Sequence, residues 1–257
     1  MVSRSSSLVA RSYRRLRAAG HVLLYGNPPS DATGNATLAP KQAVPPKLQL
    51  GSKTSLGLSE SDLGKLKQRF GYPFKLNLGC GDEDHLGQDY IHIDIRSSPI
   101  TDMVAPVEST GLPDQSCCVI IAWNVLEHVS WRQTQATLQH WFDLLQPNGR
   151  LALSTPNLEK LAYDVLEADS VVYTKRQDRG GHIIEHLYGG QDYDGNYHVA
   201  GWKPSWLAEE LERVGFRVEA IGDGNLKDFG FPFYKPAGVV PGTRGWDMLA
   251  VATRPSA

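Results

Sequence analysis

An α/β protein with a doubly wound, mostly parallel sheet is predicted by three observations. Short apolar segments of strand character alternate with amphipathic helical segments along residues 59–257. A glycine turn, Gly79-Cys80-Gly81, follows the first of those strands. The last two strand segments have no helical pattern between them. Parallel strands need crossover connections, usually helices, so the alternation implies a parallel sheet. The missing helix before the last strand predicts that this strand runs antiparallel.

Each element has its own signal. Ser61 is the expected cap of a helix that runs to about Phe70 and is closed by Gly71. Apolar runs bounded by turn residues predict strands at 75–79, 90–95, 102–105, 118–123 and 149–154. A helix from Trp131 to Leu145 is expected to bury Leu138, Phe142 and Leu145 and to stop at Pro147-Asn148-Gly149. Another starts at Pro204, buries Leu207, Leu211 and Val214, and ends at Gly215. Strands at 216–221 and 246–253 complete the set. The echo between residues 46–51 (PKLQLG) and 73–79 (PFKLNLG) is not continued downstream and is read as coincidence.

Residues 1–58 read as a separate N-terminal extension. Residues 8–17 project Leu8, Val9, Tyr13 and Leu16 to one side of a helix and Arg11, Arg14, Arg15 and Arg17 to the other. A solvated or loosely docked helix is preferred there over contact with a membrane surface. Residues 26–46 are rich in Pro, Gly and Asn and predict a linker or covering strap.

Composition narrows the function. The 257 residues are 41% hydrophobic and 21% charged, ordinary for a soluble globular chain. The net charge of -2 hides an asymmetry: residues 1–58 carry eight Lys and Arg against the single acid Asp31, so residues 59–257 are strongly acidic. A nucleic-acid enzyme needs a basic face for phosphates, so no nucleic-acid partner is expected. No membrane-length apolar run or secretory signal is visible. The three cysteines, Cys80, Cys117 and Cys118, fit neither a disulfide framework nor a zinc site. A reducing, cytoplasmic setting is expected, or an organellar one if the Arg- and Ser-rich residues 1–20 are a transit peptide.

In an open α/β sheet, ligands bind beyond the carboxyl ends of the strands. The loop there reads Asn77-Leu78-Gly79-Cys80-Gly81-Asp82-Glu83-Asp84. It lacks the third glycine of a dinucleotide fingerprint, and its three acids would repel a pyrophosphate. A cationic ligand suits it better. S-adenosylmethionine carries a sulfonium and an ammonium and no phosphate. Asp94 closes the second strand, 13 residues after Gly81, where a carboxylate can accept hydrogen bonds from ribose hydroxyls.

On these residues the chain resembles the class I S-adenosylmethionine-dependent methyltransferases, in particular the methyltransferase type 11-like group. The likeness is carried by Lys75 to Gly81, Asp94, Leu112-Pro113-Asp114, Asn124-Val125-Leu126-Glu127-His128-Val129, Leu145 to Arg150, and Ser154-Thr155-Pro156-Asn157, across about 59–254. It implies a seven-stranded sheet in the order 3-2-1-4-5-7-6. It also implies a cofactor-binding set of Asn77, Leu78, Gly79, Cys80, Gly81, Asp94, Ile95, Val107, Trp123 and Asn124. Asn77, Gly79 and Gly81 would line the methionine end, with Trp123 and Asn124 approaching it after strand four. The chain departs from the family pattern at Asn77, at Pro106-Val107 and at Cys118, where relatives often carry acids.

Methyl transfer to a hydroxyl benefits from a base, and His128 is the candidate, against the alternative that Glu127-His128 only caps the next helix. The region between strands five and six supplies the candidate acceptor residues His182, His186, Tyr188, His198 and Trp202. The match of His182 to His186 with the H-x-x-E-H zinc pattern is read as chance, because Gly189-Gly190 interrupts the helix that would hold a third ligand, and no metal is expected. The expected acceptor is a small molecule, saccharide or natural product, methylated on O or N. A catalytically inactive binding module and an NAD-dependent oxidoreductase are the alternatives.

Overall fold

A computed structural model describes residues 58–82, 86–167, 183–231 and 245–256. The basic helix and strap expected within residues 1–58 lie outside the described residues, as do Glu83, Asp84 and His182.

The first helix, α1 (Glu60–Phe70), is capped by Ser59 rather than Ser61. The Ser59 hydroxyl accepts from the Asp62 amide at 3.1 Å and donates to the Asp62 carboxylate at 2.8 Å. This reciprocal arrangement needs an acid three residues on; Ser61 has Gly64 there. Gly71 closes the helix at φ 77.

Seven strands follow: β1 (Phe74–Leu78), β2 (Ile91–Asp94), β3 (Met103–Val104), β4 (Cys117–Trp123), β5 (Leu145–Pro156), β6 (Arg217–Gly222) and β7 (Asp247–Thr253). They form one sheet in the order β3-β2-β1-β4-β5-β7-β6. The first five are parallel, and β7 runs antiparallel between β5 and β6. Leu78 lies opposite both Ile93 and Ala122, so β1, β2 and β4 end nearly level. That register brings Gly79, Asp94 and Trp123 to one edge of the sheet.

The helix expected from Trp131 starts later, as α2 (Thr134–Leu144). Residues 130–133 instead make a turn on the Ser130 carbonyl, which accepts from the amides of Gln133 and Thr134. The helix buries Leu138, Trp141 and Leu144, whereas Phe142 is half-buried and meets Phe216 edge to face. It is followed directly by β5, which takes up Leu145, and Asn148 adopts a left-handed φ of 64. Two further helices are α3 (Leu158–Glu167) and the short α4 (Ile183–Tyr188). The next, α5 (Pro204–Arg213), has Pro204 in its first turn and buries Leu207 and Leu211.

Alternate residues of the central strands feed two cores. Leu76 and Leu78, Ile91 and Ile93, and Leu151 and Leu153 pack with Leu66, Trp141 and Leu211, from α1, α2 and α5. The opposite face holds a smaller cluster of Leu86, Tyr90, Ile121, Ala152, Leu226, Phe231 and Val251. The connections 79–90 and 95–102 carry no helix among the described residues. Side chains from loops and from the 3-10 helix Leu226–Phe229 cover that face. No described helix is long and apolar enough to cross a membrane.

Candidate active site

The turn after β1 folds back on β2. The amides of Gly79 and Cys80 both donate to the Ile93 carbonyl, at 2.8 and 3.2 Å. The Gly81 amide donates to the Asp94 carboxylate at 2.9 Å, and the Arg96 amide to its other oxygen at 2.8 Å. Asp94 is thus buried where the two loops meet, and each oxygen keeps acceptor capacity for a ligand hydroxyl. Ser98 ties the two loops together by donating to the Gly81 carbonyl at 2.8 Å.

The two glycines differ in why they are required. Both have left-handed φ, 66 at Gly79 and 61 at Gly81. A Cβ on Gly81 would meet nothing within 4 Å, so this backbone faces open space. A Cβ on Gly79 would lie 2.1 Å from Cγ2 of Val125, so its hydrogen lets the loop rest on the segment after β4. Gly79→Ala is expected to destabilise the fold by about 1–3 kcal/mol through overpacking and backbone strain. Adding Val125→Ala should recover part of that loss in urea denaturation. A Gly79→Ala protein as stable as the parent would break the packing assignment.

The other residues of the implied cofactor set take several positions. Leu78 is fully buried and Ile95 is 70% exposed at the open edge. Cys80 is buried beside Thr101, and burial pushes its thiol up to about 12, so it stays neutral. Asn77 is buried on the sheet face opposite Leu76 and Leu78. Its amide donates to His92 Nδ1 at 2.9 Å, and His92 Nε2 donates to the Gly87 carbonyl at 3.1 Å. Asn77 therefore braces the loop toward β2 through its side chain. The Val107 carbonyl accepts from the Trp141 indole at 2.9 Å, which anchors the chain after β3. Trp123 is half-buried with the smaller cluster, and Asn124 takes a left-handed φ of 49 as its amide donates to the Ser154 carbonyl.

Beyond β4, a 3-10 turn (Leu126–His128) meets the segment 195–200. The Glu127 carbonyl accepts from the amides of Val199 and Ala200, at 2.9 and 3.3 Å. His128 Nδ1 donates to the carbonyls of Gly195 and Tyr197, at 3.2 and 3.1 Å, and His198 Nδ1 to the His186 carbonyl at 2.8 Å. The two imidazoles stand edge to face, 4.9 Å between centroids. Because carbonyls only accept, both rings carry their proton on Nδ1 and leave Nε2 with a lone pair. Burial lowers the pKa of His128 and takes that of His198 down to about 4, so both are neutral at pH 7.

Under them, the Glu127 carboxyl is 1% exposed, and neither oxygen has a hydrogen-bond partner. Burial pushes it up to about 8 and the nearby Asp247 carboxylate adds to the rise, while Thr155 and Asn124 stand close without completing a bond of ordinary geometry. In the sequence, Glu127 stands within the Leu-Glu-His motif that carries the family resemblance and as part of a helix cap, with no role of its own in the site. Its position in Leu-Glu-His, one residue before His128, was the available signal.

The segment 189–198 also reaches the glycine loop. The Arg96 guanidinium stacks on Tyr193 at 3.9 Å, two residues beyond Asp94 in sequence. Tyr193 lies in the stretch between strands five and six where the acceptor pocket is expected, whereas Arg96 carries no signal in the sequence. A Cβ on Gly189 would sit 2.4 Å from the Asn196 carbonyl oxygen, so that glycine lets the segment double back on itself. Tyr188 is 56% exposed, and its carbonyl accepts from the His198 amide. His186 packs against Trp246, 4.9 Å between centroids. Trp202 is 6% exposed in the main core and bridges to Asn157, and it lines a separate cleft with Trp131, Trp206 and Glu210.

The sheet order and its antiparallel seventh strand are those that the resemblance to class I methyltransferases implies. No family model and no curated protein matches the chain. Among solved structures it is similar to 1,6-didemethyltoxoflavin-N1-methyltransferase of Burkholderia thailandensis, solved with S-adenosylhomocysteine bound. The identity is 15%, the TM-score is 0.43, and 75% of this chain and 76% of that one are covered. It is also similar to a SAM-dependent methyltransferase of Archaeoglobus fulgidus, with 15% identity, a TM-score of 0.43, and 75% and 91% coverage.

Proposed function

We propose that the protein is an S-adenosylmethionine-dependent methyltransferase acting on a small molecule, saccharide or natural product, at an oxygen or nitrogen. The observation that carries this reading is the bond from the Gly81 amide to Asp94, which joins the glycine turn and the acid into one cradle at the carboxyl edge of the sheet. The open space at Gly81 fits a ligand laid along the backbone there. Asp94 would hold the ribose, and Gly79 to Gly81 the amino-acid end, with Asp82 adding negative charge for its ammonium. When bound, S-adenosylmethionine supplies a methyl group made electrophilic by the sulfonium.

The chain's own part is alignment, exclusion of water and proton removal. Segment 189–198 extends from the Arg96-Tyr193 stack beside Asp94 to the two imidazoles, which suits a cover over the reacting pair. His128 presents an unprotonated Nε2 on the turn that follows β4, whose end lies at the same edge of the sheet as Asp94. A neutral imidazole there can take the proton of an acceptor hydroxyl.

Calorimetric titration with S-adenosylmethionine, S-adenosylhomocysteine and NAD tests the reading. S-adenosylhomocysteine is expected to bind in the micromolar range, at least about tenfold more weakly in Asp94→Ala, through loss of a charge-assisted pair of hydrogen bonds. Equal affinity in the variant removes the ribose role, and binding of NAD in place of the adenosyl ligands replaces the whole proposal.

A further inference from the structure

We infer that Glu127, His128 and His198 form a binding site for a divalent transition-metal ion, with Zn²⁺ as the best match. One donor atom from each lies within 4.8 Å of one from each of the others. The outer contacts are those of metal-ligating histidines. Each imidazole spends its Nδ1 proton on a backbone carbonyl, which fixes the tautomer and orients Nε2 as a lone-pair donor.

The third donor supplies an independent observation. Glu127 is buried, and both its oxygens lack a hydrogen-bond partner. An orphaned buried carboxyl is costly, and a cation between it and two imidazoles relieves that cost. The site is also held from several sides. Val199 and Ala200 donate to the Glu127 backbone, and Gly195, Tyr197 and His186 supply the carbonyls that hold the rings.

Donor chemistry selects the ion. Two imidazole nitrogens and one carboxylate suit Zn²⁺, and Mn²⁺ or Fe²⁺ less tightly, whereas Mg²⁺ and Ca²⁺ favour all-oxygen shells. Around tetrahedral Zn²⁺ the donors would stand roughly 3.3 Å apart, given bonds of about 2.0–2.1 Å. The donors, now within 4.8 Å of one another, would have to close by up to about 1.5 Å in separation to reach that geometry. Three protein ligands leave a position open. Resting on the methyl-transfer reading, that position is assigned to the acceptor oxygen, whose proton a bound cation makes easier to lose. Sequence spacing concealed the set, since His198 follows His128 by a long stretch that includes α2 to α4.

The full chain, stripped with EDTA and exchanged into metal-free buffer, is titrated with Zn²⁺ by equilibrium dialysis and with Co²⁺ by visible absorption. One equivalent is expected to bind at micromolar Kd or tighter, with the Co²⁺ spectrum of nitrogen and oxygen ligation. Glu127→Gln and His198→Ala should each weaken binding at least about tenfold, with His128→Asn as a third arm should either unfold. No Zn²⁺ binding below about 1 mM overturns the site. So does unchanged affinity in the folded variants, or a Co²⁺ spectrum dominated by thiolate charge transfer, which would put the ion on Cys80, Cys117 or Cys118. S-adenosylhomocysteine titration of the same samples keeps failure of the metal site distinct from failure of the cofactor cradle.

Discussion

His128→Ala is expected to lower turnover on a hydroxyl acceptor by about 10²–10⁴-fold while leaving S-adenosylhomocysteine affinity within about threefold. The His128 ring touches no part of the Asp94 cradle by hydrogen bond, so cofactor binding has no reason to fall with it. What is lost is an imidazole whose Nδ1 proton is committed to Gly195 and Tyr197 and whose Nε2 is free to act. Burial lowers its pKa below the ordinary histidine value, so it is already unprotonated at pH 7, and a free-base role predicts turnover that rises with pH below neutrality and is flat above it. A metal-ligand role gives the same loss in His128→Ala but makes the parent activity sensitive to chelation. His198→Ala is the matched control. As a ligand partner it should cost as much as His128→Ala, and as a residue that only lines the acceptor pocket it should raise KM with little change in kcat. If both variants keep the parent kcat and KM, the acceptor lies elsewhere and only the cofactor half of the functional reading remains.

The fold was legible because its signals are local and ordered. Strand segments bounded by turn residues marked all seven strands, and the absent helix before 246–253 marked the antiparallel one. Where the sequence reading missed, a contact between distant residues decided the outcome. Trp131 looked like the start of a helix, but the Ser130 turn delays it to Thr134, and Trp131 is left 62% exposed. Gly79 reads as one of two equivalent loop glycines, yet its requirement comes from Val125, on the far side of β2 and β3 in sequence. Trp202, grouped with the acceptor residues by composition, packs into the main core. Asp94 could be singled out because a 13-residue spacing from Gly81 is a local pattern. The pairing of His128 with His198 is not local, and only the docking of residues 195–200 onto the 3-10 turn reveals it.

Glu127 carries the second large effect, and its sign is fixed by the direction of its shift. A glutamate in the unfolded chain titrates near 4.3, whereas burial pushes the folded carboxyl up to about 8. Between those values the folded state holds a proton that the unfolded state has released. The contribution of Glu127 to stability is therefore fully present below about pH 4.3 and is lost progressively as pH rises toward 8. Glutamine keeps the shape without a charge to bury. In EDTA-treated protein, Glu127→Gln should match the parent near pH 4.5 and exceed it increasingly above, by on the order of 3–4 kcal/mol at pH 7, since each pH unit of the window is worth about 1.4 kcal/mol. Urea denaturation of both proteins at pH 5, 6, 7 and 8 reads this directly. A difference that stays constant with pH would mean that the carboxyl is ionised in the folded protein and held by a partner. Repeating the series with saturating Zn²⁺ should reverse the order, because the ion stabilises the parent by binding the folded state and gains little from the glutamine variant.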